Sequence, residues 1–215
     1  GGGTNIVFTF VFCSGGKDGL DQKGIFYYLG TKGGTQAYGN PGQCGLVDCT
    51  WSSVWCGPEY KFLNHLGGEI SYTKHDQGPG QWMQVDLKDV RVANPTHYCL
   101  RHGWRNGNYR LASWVLSASE DEVNWYVLDV QSNWFSPLPA SGYSTAAFPI
   151  GGSCGGWFCG GCAVDGEQEP GFRYFRVTMT GKNSDGNNQL FCAGFELYGT
   201  LVEEARNNNN EQQHR

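Results

Sequence analysis

The stretch Trp82-Met83-Gln84-Val85-Asp86-Leu87 places its side chains alternately on the two sides of an extended chain. Because successive side chains of a β-strand point to opposite faces, this period of two predicts a strand. Seven further runs, rich in β-branched and aromatic residues, are predicted as strands at residues 5–12, 24–30, 96–101, 113–118, 124–130, 172–178 and 195–201. No window of a dozen residues has a strong helical period. The pattern therefore predicts an all-β, antiparallel sandwich or barrel of eight short strands.

The composition is that of a chain with a sizeable hydrophobic core. Of 215 residues, 14% are aromatic and 8 are Trp, which excludes intrinsic disorder for most of the chain. We expect one domain over residues 1–202, with long cysteine-bearing loops at 31–68 and 136–170. The polar residues 203–215 are expected to form a frayed tail.

The charge balance excludes some classes of partner. Fifteen Lys and Arg against 20 Asp and Glu give a formal net charge of −5, so nucleic acid is not predicted as a partner. No stretch approaches 18 consecutive apolar residues, so no membrane span is predicted. The first residues lack a basic segment followed by a long apolar run. We therefore expect a secretory signal to be absent or already removed.

Six segments, in order, resemble stretches of one domain family. Residues 82–87 look like a W-x-x-(I/V)-D-L strand, and residues 95–103 (PTHYCLRHG) resemble P-T-x-Y-x-L-R-H-G. The other matching segments are 24–31, 111–125, 172–184 and 194–199. Together they are similar to the galactose-binding-like (discoidin, coagulation factor type C) jelly-roll domain. The version they most resemble occurs in HECT-type ubiquitin ligases and related eukaryotic proteins. The resemblance implies an antiparallel eight-stranded jelly-roll β-sandwich whose role is to bind another molecule.

The loop after the strand at 96–101 is the leading candidate for a binding site. It carries Arg101, His102, Trp104, Arg105 and Tyr109 and lies at one end of the predicted sandwich. Guanidinium groups pair with carboxylates, and aromatic rings bury area at low entropic cost. The alternative is a structural turn in which Arg101 is buried and paired.

Two other loops carry candidate contacts. Asn183 either hydrogen-bonds a ligand or forms a turn with its own backbone. Trp157 and Phe158 lie in a glycine-rich loop with little local core, so they either fold back over the sandwich or contact a partner. Trp51 and Trp55 raise the same question. Aromatic residues within strand patterns are instead expected in the core, with a sugar-stacking platform as the alternative: Trp82, Tyr98, Trp114, Trp125, Phe175 and Phe195.

Six of the nine cysteines form two trios in the long loops: Cys44, Cys49 and Cys56, then Cys154, Cys159 and Cys162. Disulfides, free thiols and a structural metal site are all open, with disulfides favoured. Only Cys159 and Cys162 have the two-residue spacing that zinc sites favour, so no metal or cofactor is predicted. The cysteine count favours an extracellular compartment. The absence of an Asn-x-Ser/Thr glycosylation site and the family resemblance favour an intracellular one, so the compartment stays open.

These observations predict a non-catalytic recognition module that binds a partner protein or a glycan through loops at one end of the sandwich. No catalytic constellation is apparent: Asp86 and Glu196 lie in strands, and nothing brings them together across a substrate. An enzyme is therefore not predicted. The alternative is a building block of a larger assembly, packing through its loops and the apolar first strand, which includes self-assembly.

Overall fold

The computed structural model describes residues 6–11, 20–75, 77–132, 136–151 and 171–203. Its secondary structure is almost entirely antiparallel strand. The strands are β1 (Ile6–Phe10), β2 (Asp48–Trp51), β3 (Ser71–Tyr72), β4 (Trp82–Asp86), β5 (Val90–His102), β6 (Ser113–Ser119), β7 (Trp125–Ser132), β8 (Thr145–Pro149), β9 (Tyr174–Met179) and β10 (Phe191–Glu203). Helix α1 (Ile25–Thr31) and a 3₁₀ helix (Glu59–Leu63) complete the elements. No helix within these ranges is long and apolar enough to cross a bilayer.

The strands form two sheets. The first has the order β1-β10-β5-β8, with β3 also paired to β10, and the second has the order β2-β4-β9-β6-β7. The predicted jelly-roll sandwich is confirmed, because sequentially distant strands such as β5 and β10 are neighbours and every pairing is antiparallel.

A single large apolar cluster fills the space between the sheets. Trp114, Phe175 and Phe195 are each at most 2% exposed, and such a side chain contributes about 1.5–3 kcal/mol on burial. Three polar side chains in this core form a hydrogen-bonded chain: Trp114 Nε1 donates to the Tyr98 hydroxyl at 2.8 Å, and that hydroxyl donates to Asp129 Oδ2 at 2.5 Å. These side chains therefore keep hydrogen-bond partners although they are buried.

One predicted strand is wrong. Residues 24–30, a β-branched and aromatic run, belong to helix α1 instead. The cause is tertiary: Glu196 of β10 is buried, and its carboxylate accepts hydrogen bonds from the Phe26 amide (2.7 Å) and the Tyr27 amide (3.1 Å). A carboxylate at a helix N-terminus satisfies amides that have no partner within the helix. Gly24 allows this approach, since a Cβ there would lie 2.0 Å from the Glu196 Cδ.

The long segment at 31–68 is more structured than expected. It contains β2 and the 3₁₀ helix, whose Phe62 is fully buried and packs against Phe195 with ring centroids 6.2 Å apart. Trp51 is also buried, and its indole donates to the Glu59 carbonyl at 3.0 Å. The segment is thus part of the core. The segment at 136–170 likewise contributes β8, which pairs with β5.

Candidate binding surface

Four aromatic rings meet at one end of the sandwich. Tyr72 of β3 and Tyr109 each stack on the ring of Phe191 in β10, with centroid distances of 4.5 and 4.9 Å. Trp104 meets Phe191 edge-on at 5.5 Å and Tyr109 edge-on at 6.0 Å. Phe191 is buried, whereas the other three rings are half-buried. We call these four residues the aromatic tip.

The loop that carries Trp104 and Tyr109 is held by two neighbouring loops. The Tyr143 amide donates to the Trp104 carbonyl at 3.2 Å, and the Arg110 and Ser184 backbones are joined by a 3.0 Å hydrogen bond. The Tyr109 amide also donates to the Asp185 carboxylate. Because three loops brace one another, the rings are positioned before any partner arrives.

Gly107 lets two of these loops meet. It has a φ of +75°, and a Cβ at this position would lie 2.5 Å from the Ala140 carbonyl oxygen. Only glycine adopts this conformation without strain at so close an approach. The close contact between the loops therefore depends on the absence of a side chain.

Arg101 lies beneath this surface. It is 3% exposed, and its Nη1 donates to the His65 carbonyl at 3.0 Å and to the Asn64 carbonyl at 3.4 Å. Burial lowers the pKa of its guanidinium. Arg101 thus holds the loop at residues 64–65 against β5. Arg101 is therefore buried and paired, as in the alternative in which its loop is a structural turn.

His102 is also fully buried. Neither ring nitrogen has a hydrogen-bond partner of good geometry, and burial, followed by the nearby charge of Arg110, lowers the pKa of His102 to about 4. A neutral imidazole with no access to the surface packs between the loops. It offers no charge to a ligand.

Asn183 forms a turn. Its side-chain amide donates to Asn187 Oδ1 (2.6 Å) and to the Gln189 carbonyl (2.9 Å), and its Oδ1 accepts from the Asp185 amide (3.0 Å). It is 4% exposed. The Asn183 side chain therefore forms a turn with nearby backbone, because its hydrogen-bonding groups are used within the loop.

Three predicted site residues remain at the surface: Trp104 and Tyr109 are half-buried, and Arg105 is exposed. Sequence reasoning missed Tyr72 and Phe191, whose contribution depends on how β3 and β10 pair. Trp55 lies nearby, 60% exposed, with its amide bonded to the Tyr72 carbonyl and its ring 5.3 Å from His75. Trp157 and Phe158 lie outside the described residues.

The cysteine prediction requires correction. Cys44, Cys49 and Cys56 are free thiols, so no disulfide joins this trio, and the described residues contain no group of side chains arranged to hold a metal. Burial, reinforced by nearby acids, raises the pKa of the Cys49 thiol. Cys154, Cys159 and Cys162 lie outside the described residues.

The two strand acids serve the fold separately. Asp86 accepts two hydrogen bonds from Arg173, at 2.5 and 2.8 Å. Burial alone would raise the pKa of Asp86, but these bonds and one from the Lys88 amide hold it below its ordinary value. Glu196 caps α1. The two carboxyl groups thus have different partners.

The prediction for the strand aromatics is correct for four of the six rings. Tyr98, Trp114, Phe175 and Phe195 are buried. Trp82 and Trp125 are half-buried, and each lies over the guanidinium of Arg176, with its Cζ 4.4 and 4.1 Å from the two ring centroids. Arg176 of β9 therefore orders both indoles on one face of the second sheet.

Comparisons with known proteins identify relatives of this chain and a solved structure with a similar fold. No family model matches the chain. The Drosophila melanogaster E3 ubiquitin-protein ligase Ufd4 is 31% identical over 202 residues, which are 93% of this chain and 7% of the ligase. The Caenorhabditis elegans E3 ubiquitin-protein ligase hecd-1 is 28% identical over 193 residues, 86% of this chain and 6% of the ligase. The chain thus spans less than a tenth of the length of these relatives.

A solved structure has the same architecture. CpGH89CBM32-5 from Clostridium perfringens, in complex with GalNAc-β-1,3-galactose, superposes with a TM-score of 0.50 at 16% identity, over 72% of this chain and 96% of that one. This likeness concerns the fold. The chain has the galactose-binding-like jelly-roll fold, and its sequence is similar to a short segment of each of the two ubiquitin ligases.

Proposed function

We propose that this chain is a non-catalytic recognition module that binds a partner protein or a glycan through the aromatic tip. The observation that carries the proposal is the cluster of three half-buried rings, Tyr72, Trp104 and Tyr109, around the buried ring of Phe191. Aromatic side chains supply much contact area with few rotatable bonds, which favours them at binding surfaces.

The polar complement of the site is sparse. Arg101, His102 and Asn183 are buried, whereas Arg105, in the same loop as Trp104, is an exposed cation. A partner would therefore bind mainly by ring contact, with Arg105 pairing a peripheral acceptor. Both a protein side-chain cluster and the apolar face of a sugar fit this chemistry.

The relatives support a role within a larger protein. In a ubiquitin ligase, a domain of this kind would recruit the molecule to be modified, while catalysis is carried out elsewhere. This role is a proposal for the present chain, since the matched segment is a small part of each ligase.

The test compares the wild-type protein with Trp104→Ala in a glycan array and in an affinity pull-down from cell extract. We expect Trp104→Ala to reduce binding about tenfold or more, as for a central aromatic contact. Val123→Ala, which removes a 77% exposed apolar side chain in the β6–β7 turn, is the matched control and should bind normally. Empty results in both assays with folded wild-type protein would refute the proposal, as would full binding by Trp104→Ala.

A second candidate function rests on β1. This strand pairs only with β10 among the described strands and forms the edge of its sheet. Beside it, an open groove of about 480 Å³ is lined by Phe10, Val11 and residues of α1. Such an edge can pair with another chain. Size-exclusion chromatography at increasing concentration tests assembly, and a monodisperse monomer throughout would count against it.

A further inference from the structure

The outward face of the second sheet carries at its centre an arginine, Arg176, that has no ion-pair partner among the described residues. Cross-strand pairing aligns three outward rows across β4, β9, β6 and β7: Trp82–Thr178–Val115–Val130, Gln84–Arg176–Ser117–Val127 and Asp86–Tyr174–Ser119–Trp125. Arg176 occupies the middle row. We call these three rows the Arg176 face. It lies on a sheet surface and shares no residue with the aromatic tip.

The guanidinium of Arg176 is fixed in place. Trp82 and Trp125, from the rows on either side, cover it with ring centroids 4.4 and 4.1 Å from its Cζ. Its Nε donates to Gln84 Oε1 at 2.8 Å, and the Gln84 amide donates in turn to Glu122 Oε1 at 2.8 Å. These contacts hold the planar guanidinium in one orientation. A ligand that binds it therefore does not have to order the side chain.

The two terminal nitrogens of Arg176 remain available. In the described part of the chain, the hydrogen bonds and ion pairs of Arg176 involve only its Nε, and its bonded partner, Gln84, is neutral. Neighbouring Arg173, in contrast, is paired with Asp86 through both Nε and Nη2. Burial lowers the pKa of Arg176, although the charge of Glu122 opposes this shift. A half-buried cation of this kind is stabilised by an external anion that matches its fork of donors.

Apolar side chains occupy the β7 side of the same face. Val127 and Val130 of β7 are 52% and 41% exposed, in the same rows as Arg176 and Trp82. Strand β7 is the edge of the sheet, so this side of the face is open to an approaching chain. A fixed guanidinium beside exposed valines and indoles complements a carboxylate flanked by apolar residues.

We propose that the Arg176 face is a second binding surface, which takes an acidic peptide segment of a partner protein. The peptide places an Asp or Glu carboxylate on the terminal nitrogens of Arg176. Its apolar neighbours pack on Val127, Val130 and the edges of the two indoles. This surface would let the domain hold two partners on different sides.

The test is selection of a displayed library of random linear peptides on the wild-type protein, followed by affinity measurement of a selected synthetic peptide by fluorescence anisotropy. We expect selected peptides to be enriched in Asp or Glu beside apolar residues. Replacing the acidic residue by its amide, or Arg176→Gln in the protein, should weaken binding about tenfold or more. Higher salt should also weaken it.

Variants at Val127 keep the test independent of any folding defect in Arg176→Gln. Val127→Glu places a carboxylate in the same row as Arg176, two strands away across Ser117, where it competes with a peptide carboxylate for the free donors and should abolish peptide binding. Val127→Gln, the matched uncharged change at the same exposed position, should retain most of it. Trp104→Ala should bind the peptide normally, so failure of the aromatic tip and failure of the Arg176 face are distinguishable.

Three outcomes would overturn the proposal. The first is a selection without acidic enrichment, and the second is equal peptide binding by Val127→Glu and Val127→Gln. The third is Arg176-dependent binding of heparin, used as an acidic polysaccharide probe, without binding of any selected peptide, since the ligand would then be a glycan.

Discussion

Replacement of Glu196 by Gln tests the link between β10 and helix α1. The carboxylate is buried and accepts three backbone amides: Phe26 (2.7 Å) and Leu197 (2.9 Å) bond to Oε1, and Tyr27 (3.1 Å) bonds to Oε2. Gln retains the acceptor for the first two and turns an NH₂ group toward the third. The lost bond and the donor–donor contact cost about 1–3 kcal/mol where both side chains are neutral.

The pH dependence gives the sharper result. Burial, which outweighs the three amide donors, raises the pKa of Glu196 to about 8. The unfolded chain releases this proton near pH 4.5, so the folded state binds the extra proton between that pH and about 8. Stability from this group is therefore complete below pH 4.5 and falls as the pH rises to about 8, at up to ~1.4 kcal/mol per pH unit. The total change is on the order of 5 kcal/mol, and Glu196→Gln lacks it.

The assay is urea unfolding followed by Trp fluorescence between pH 4.5 and 8.5. The observable is the difference in unfolding free energy between wild type and Glu196→Gln, since this subtracts titrations common to both proteins, such as those of His65 and His102. We expect Gln to be the less stable variant at pH 4.5 and to overtake the wild type as the pH rises. Glu69→Gln, at an exposed carboxylate 3.9 Å from Lys61, should change little at any pH. A pH-independent difference between wild type and Glu196→Gln would refute the reasoning.

Three further changes have defined outcomes. Asp86→Asn removes a paired carboxylate whose pKa is depressed, so we expect a loss of about 1–2 kcal/mol at neutral pH that disappears as the pH falls below 4, measured by denaturant unfolding; a constant loss down to pH 2 would contradict this. Gly107→Ala forces a side chain to within 2.5 Å of a carbonyl oxygen at a φ of +75°, which should cost about 1–3 kcal/mol and broaden the amide signals of the tip loops in NMR spectra. Unchanged spectra and stability would show that the loops do not need this contact. Thiol labelling of the native protein should modify the exposed Cys44 and Cys56 within minutes, whereas the buried cysteines of β5 and β10 should react only in denaturant; peptide mapping by mass spectrometry distinguishes them, and rapid labelling of the buried pair would contradict the burial.

Alternation along the sequence predicted most of the sandwich. In β4 and β6 the inward residues Met83, Val85, Trp114, Leu116 and Ala118 are buried at every second position, and the place of these strands follows from this local pattern. Residues 24–30 have a similar composition but form α1, because the Glu196 cap comes from a strand about 170 residues away. A local pattern carries no information about such a partner.

The candidate site was predicted only in part, because some of its residues are brought together by contacts between distant parts of the sequence. The loop of Trp104 and Tyr109 was identified from its composition, and both rings do lie at the end of the sandwich. Tyr72 and Phe191 were missed, since only the pairing of β3 with β10 brings them to that loop. The burial of Arg101 likewise depends on the segment at residues 64–65, and no local sequence pattern places that segment over β5.

The antiparallel pairing of β1 with β10 aligns Ile6 with Glu203, so the polypeptide enters and leaves the sandwich at one spot. A unit with neighbouring ends can be spliced into a connecting segment of another protein without pulling that protein apart. The same geometry would permit joining the two ends and opening the backbone elsewhere. It explains physically how a compact module of this type can be accommodated within polypeptides more than ten times its length.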